Sequence, residues 1–172
     1  MGIPTRCFSL YQYKKTHPDE TEPRRGYDGA LASLILQDEP DLIVCAGFMH
    51  ILTPDFLDPL SKAGVPIINL HPALPKAFDG AHAIQRAHEA FMKGEIDRTG
   101  IMIHYVIAEV DRGEPIIVEE IPLRHPEDDD LDALEQRIHE IEWKAIVEGT
   151  QKAIEALGKT RHDQGKLSVS CE

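Results

Sequence analysis

An open, mostly parallel α/β sheet that finishes in a hairpin and a long helix is the fold class this sequence predicts. Three observations carry that expectation. Apolar strand-like runs alternate with segments of helical spacing as far as residue 94. The run "DLIVCAGF" (41–48) is almost continuously apolar, as a strand covered on both faces of a parallel sheet would be. Finally, "GIMIHYVIAE" and "EPIIVEEIPL" are joined by the short "VDRG", which reads as two neighbouring strands, and a long amphipathic segment follows them.

Taken in order, "IPTRCFSL" (3–10) has the composition of a short strand, and a polar, proline-containing connection follows it. Residues 27–38, "YDGALASLILQD", space their apolar side chains as a helix does. After the 41–48 strand, "TPDFLDPLSKAG" predicts a short helix with Thr53 as N-cap, Pro54 at the first helical position and Gly64 as the stop. "VPIINL" (65–70) is the next strand, and residues 80–94 return to helical spacing and end on glycine. The last helix is expected over 127–158, its acidic first turn suited to the positive end of the helix dipole. The expected organisation is one domain over 1–157 and a flexible tail over 158–172.

At 172 residues the chain is long enough to bury one substantial core. A net charge of −12 argues against broad binding to nucleic-acid phosphates, which needs clustered Lys and Arg. Cys7, Cys45 and Cys171 show no CxxC spacing, so reduced thiols in a cytoplasmic protein are the simplest reading. No apolar stretch reaches membrane-spanning length.

In an open α/β sheet, ligands sit beyond the carboxyl ends of the parallel strands, which is where "INLHPALP" places Asn69 and His71. An amide donor can hold a developing oxyanion, and a protonated imidazole can donate to that oxygen or to a departing nitrogen. Acyl transfer to an amine needs both. A nearby carboxylate would keep the imidazole charged, and Asp111 in "EVDRGEP" is the candidate. The plainer reading, in which these residues only tie down turns, stays open at this point. His82 and His88, six apart on a predicted helix, lie on different faces and do not make a metal pair, so no metal is expected.

Four stretches in register, "AGFMHILTPDFL", "INLHPALPKAFDGAHAI", "TGIMIHYVIAEVDRGEPII" and "LEQRIHEIE", resemble the glycinamide ribonucleotide formyltransferase family, particularly its fungal members. The resemblance covers about residues 2–157 and implies a Rossmann-like formyltransferase fold. It also implies transfer of a formyl group from 10-formyltetrahydrofolate to the amino group of glycinamide ribonucleotide, through a tetrahedral intermediate. Carried over residue by residue, Asn69 would orient the formyl oxygen, His71 would be the proton donor, and Asp111 would raise the His71 pKa and help shuttle protons. Met49, His50, Ile51 and Leu52 would meet the pterin through their backbone, with Val110 and its loop as the other wall and Arg24 near the folate. At His50 many relatives have Arg. Glu142 would bind the ribose of the ribonucleotide, and His104 would support Asp111 from the same strand.

Members of that family open with a strand, a glycine-rich loop and a helix whose N-terminus holds the substrate phosphate, whereas this chain starts near their third strand. Its fold is therefore expected to be N-terminally truncated, with the 41–48 strand as an exposed edge. The chain is then expected either to self-associate through that edge, to leave residues 1 to about 26 poorly packed, or to aggregate, and not to bind the ribonucleotide phosphate as the relatives do. Methionyl-tRNA formyltransferase and formyltetrahydrofolate deformylase use similar motifs and stay as alternatives, as does a folate-binding but catalytically silent fragment.

Overall fold

The computed structural model describes residues 2–168, with side chains through Lys159; Met1, Cys171 and the other residues after Ser168 lie outside it. In chain order its elements are α1 (Leu10–Thr16), α2 (Pro23–Leu36), β1 (Ile43–Cys45), α3 (Pro54–Lys62), β2 (Ile67–His71), α4 (Ala83–Met92), β3 (Arg98–Tyr105), β4 (Pro115–Pro122) and α5 (Leu131–Ser168). The described chain divides into two compact units, one running to Asp41 and including His50–Pro66, the other made of Leu42–Met49 and everything from Ile67 onward.

In the first unit α2 packs against α3. Helix α2 begins at Pro23, four residues before the apolar spacing starts, because proline at the first helical position forfeits no hydrogen bond. Its buried side chains Asp28 and Ala32 are four apart and share a face, as do Phe56 and Leu60 on α3. Residues 2–9 are not the strand expected at 3–10: they are irregular and mostly exposed, and the chain then turns into α1. A strand needs a neighbour to satisfy its backbone, and the sheet consists of β1 to β4 alone among the described residues. The segment is held instead by side chains. Phe8 stacks on Tyr27 at 5.0 Å, the Tyr27 hydroxyl donates to the Phe8 carbonyl at 2.8 Å, and Arg6 pairs with Asp38 at 2.7 Å.

The second unit is a four-stranded sheet in the order β1-β2-β3-β4, with α5 packed on β2, β3 and β4. It is mixed: β1 and β2 run parallel, whereas β2/β3 and β3/β4 are antiparallel, because the hairpin that follows α4 returns against β2. Only Ile43–Cys45 of the 41–48 run is extended, and it pairs on one side alone, which leaves β1 at the sheet edge.

Alternation along β2 and β3 sorts their side chains. Ile68, Leu70, Ile101 and Ile103 join the cluster that contains Leu134, Ile138, Ala145 and Ala153 of α5. Each fully buried Ile or Leu contributes about 1.5–3 kcal/mol. Gly149 permits the close approach of α5, since a Cβ there would lie 2.7 Å from Ile103 Cγ2. The opposite parity, Asn69, His71, Met102 and His104, is left for other work.

The acidic run before α5 does more than complement a dipole. Asp130 caps the helix by accepting from the Ala133 N–H at 2.9 Å. Asp128, 1% exposed, accepts from the Arg124 N–H at 2.8 Å and from Arg137 at 2.7 and 3.0 Å. The helix itself continues through Ser168, so residues 158–168 of the expected tail are helical backbone and the rest lie outside the described residues. Among the described residues no helix is long and apolar enough to cross a membrane.

Candidate active site

Strand β2 places Asn69 and His71 two residues apart and on one face, and the register with β3 sets Asn69 opposite His104. Asp111 comes from the loop between β3 and β4. Its backbone is left-handed, with φ +55, a conformation that Asp tolerates better than most residues.

The three sequence-derived candidates and His104 converge. His71 Nδ1 lies 3.4 Å from Asp111 Oδ2, and His104 Nε2 lies 3.6 Å from Asp111 Oδ1. The Gly80 N–H donates to Asp111 Oδ2 at 2.7 Å, fixing the carboxylate from a third side. His104 Nδ1 donates to the Tyr105 carbonyl at 2.9 Å, which turns Nε2 toward the Asn69 amide at 3.4 Å. His104 is therefore not peripheral to this cluster; it bridges Asn69 and Asp111. His71 is only 3% exposed, and its Nε2 is buried without a hydrogen-bond partner among the described residues. A nitrogen in that state is available to a ligand.

The electrostatics differ from the sequence-derived expectation. Burial pushes the His71 pKa down, and it outweighs the raising effect of the Asp111 charge, while His104 adds to the lowering. Asp111 shows the reverse balance. Burial acts to raise its carboxyl, but contact with His104, the Gly80 N–H and the charge of His71 hold it below the usual carboxylate range. The expected net rise at His71 thus fails because an imidazole this enclosed loses more hydration than one carboxylate returns.

The sign of the pH dependence follows. With a folded pKa below the unfolded value of about 6.5, His71 contributes stability that is fully present above that value and is lost as pH falls through the folded one. Asp111 still raises the imidazole pKa from its depressed level. Asp111→Asn should therefore lower the His71 pKa further in an NMR titration, and an unchanged midpoint would show that the two groups are not coupled.

The remaining candidates lie on both units. Arg24, His50, Ile51 and Leu52 are in the first, and Arg24 Nη2 donates to the Ile51 carbonyl at 2.8 Å. Met49 and Val110 are in the second, 75% and 38% exposed. His50 Nε2 meets Asp28 at 2.5 Å, and the Thr53 N–H donates to the same carboxylate at 2.8 Å. Asp28 is completely buried. No periodicity marked it, because an acid on a helix looks like a solvated face. Glu142 on α5 is largely buried, which raises its carboxyl pKa, with His139 4.0 Å away partly opposing the rise. Cys45 is buried on β1, and burial pushes its thiol up to about 11, so it is not a thiolate nucleophile at neutral pH. Among the described residues no group of three or more His, Cys, Asp or Glu is arranged to hold a metal ion.

Sequence reasoning missed Asp79, Gly80, Arg86 and Arg112. Asp79, Gly80 and Arg112 lie in the loops "KAFDG" and "VDRG", whose positive-φ residues cannot be read from composition, and Arg86 lies on α4, where an arginine looks solvated.

Comparison with known proteins agrees with this arrangement. A family model described as formyl transferase matches residues 1–150. Phosphoribosylglycinamide formyltransferase of Schizosaccharomyces pombe is 49% identical over 153 residues, spanning 89% of this chain and 72% of that protein. The Saccharomyces cerevisiae protein of the same name is 43% identical over 165 residues, 92% of this chain and 76% of its own. Among solved structures, phosphoribosylglycinamide formyltransferase from Streptococcus pneumoniae TIGR4 superposes with a TM-score of 0.68 at 32% identity, covering 78% of this chain and 70% of that one.

Proposed function

This chain belongs to the formyl transferase family, and from that premise we propose that it is a cytoplasmic enzyme of purine biosynthesis that formylates the amino group of glycinamide ribonucleotide. The formyl donor in this reading is 10-formyltetrahydrofolate. The observation that carries it is the buried, unpartnered Nε2 of His71, backed by a carboxylate on Nδ1, with Asn69 on the same face of β2. A formyl oxygen needs a donor and a migrating proton needs a carrier, and these residues fit both.

Because the His71 pKa is lowered, the imidazole enters the cycle neutral. It takes a proton from the attacking amine and, as an imidazolium facing Asp111, returns it to the departing nitrogen. Overall, one C–N bond forms to the amine, the C–N bond to N10 of the donor breaks, and one proton passes from the first nitrogen to the second. Asn69 donates to the formyl oxygen as charge builds on it. By the resemblance, Arg24 and the backbone of His50, Ile51 and Leu52 in the first unit, and the Met49 backbone and Val110 in the second, are each assigned to the folate, and Glu142 to the ribose hydroxyls.

The test uses the full-length protein with both substrates and follows release of tetrahydrofolate. Turnover that requires the ribonucleotide supports the proposal. Release of formate without it would indicate a deformylase, transfer to methionyl-tRNA would indicate that enzyme, and binding of a folate analogue by calorimetry without turnover would indicate a silent fragment. The free edge of β1 offers backbone groups to a second copy. Light scattering on the same sample reads this, and a monomer at every concentration would exclude it.

A further inference from the structure

The chain between β2 and α4 is held in an improbable shape. Lys76, Phe78, Gly80 and His82, every second residue, have positive φ values of 68, 51, 83 and 57. For Lys, Phe and His this backbone is strained, and it persists only where its surroundings over-determine it. Here the surroundings are two arginines. Arg86, in the first turn of α4, donates from Nη2 to the carbonyls of Phe78 at 2.5 Å and Asp79 at 2.8 Å, and its guanidinium lies 5.8 Å from the centre of the Phe78 ring. Arg112, next to Asp111, donates from Nη2 to Asp79 Oδ2.

We propose that Asp79 and Arg112 form a clasp between the β2–α4 and β3–β4 loops, and that these are positioning residues for Asp111. Arg86 completes the device by holding the backbone on which Asp79 and Gly80 stand. The chain of contacts is continuous. The Asp111 oxygen that faces His71 is the one that receives the Gly80 N–H, and Gly80 adjoins the residue Arg112 grips. Asp79 is also close enough for its charge to act on His71 in the same raising direction as that of Asp111.

The clasp has little to do with global stability. Arg112 is 44% exposed in its side chain and Asp79 28%, and ion pairs this solvated contribute little. Its effect is on placement, where a displacement of about 1 Å can cost two orders of magnitude in rate.

The kinetic arm of the test rests on the formyl-transfer reading and the spectroscopic arm does not. In the full-length protein, Arg112→Ala and Asp79→Asn should each lower kcat about tenfold while leaving KM for both substrates within about twofold, and Arg112→Lys should recover most of the loss. Denaturation midpoints should barely move. By NMR, the shift that Asp111→Asn produces in the His71 titration should fall to less than about half its size when Arg112→Ala is already present. Unchanged kcat together with undiminished coupling would overturn the clasp. If the native enzyme transfers no formyl group, the functional reading fails and the titration alone decides the clasp, diminished coupling supporting it and full coupling overturning it.

Discussion

His71→Ala is expected to lower turnover in the full-length enzyme by roughly two to four orders of magnitude, the scale of a positioned proton carrier. The loss should fall on kcat more than on KM, because Nε2 has no hydrogen-bond partner among the described residues and its work is on the proton in flight. Asp111 keeps the Gly80 N–H and the His104 contact when the imidazole is gone, so the carboxylate is not stranded and the fold should survive. Near-normal turnover would remove His71 from this role and would shift attention to His104, the other imidazole on the same carboxylate.

Gly113→Ala should be the most damaging single methyl in the site. A Cβ at Gly113 would stand 1.6 Å from the Tyr105 carbonyl oxygen and 2.7 Å from its carbon, and backbone cannot rotate aside as a flexible side chain can. That residue also closes the hairpin loop, the Tyr105 N–H donating to the Glu114 carbonyl at 2.9 Å. To admit the methyl the loop must open, carrying Asp111 with it. The expected cost is about 3 kcal/mol, the upper end of the overpacking range, together with loss of activity in whatever fraction folds. Urea unfolding with an unchanged midpoint would show that the loop relaxes freely.

The placement of the candidate residues was legible where they lay on or between regular elements. Asn69 and His71 could be placed at a strand end from apolar patterning, and Asp111 in a short polar loop between two strands, whereas His104 came only with the family resemblance. Illegible parts depend on three-dimensional surroundings. The sign of the His71 pKa shift is decided by how much water the fold removes, which no local spacing encodes. Asp28 looks like a surface acid until α3 and the loop before it close over it and supply a Thr53 N–H and a His50 ring nitrogen. The 3–10 segment had a strand's composition but not a strand's neighbours, so side chains such as Phe8 and Arg6 anchor it instead.

The pairing of Asn69 with His104 across β2 and β3 ties the reaction to a count of residues. Ile68 and Leu70 face the apolar cluster, and a pairing slipped by one residue would bring Asn69 there in place of one of them, which the apolar side of the sheet could not tolerate. The polar side fares no better, because the same slip sends Asn69 and His71 to the opposite face together. Single-residue insertions or deletions in β2 should accordingly lower the yield of soluble, folded protein as well as dismantle the site. Variation can reach this chain through its loops and helices, while the length of one five-residue strand is locked from both faces at once.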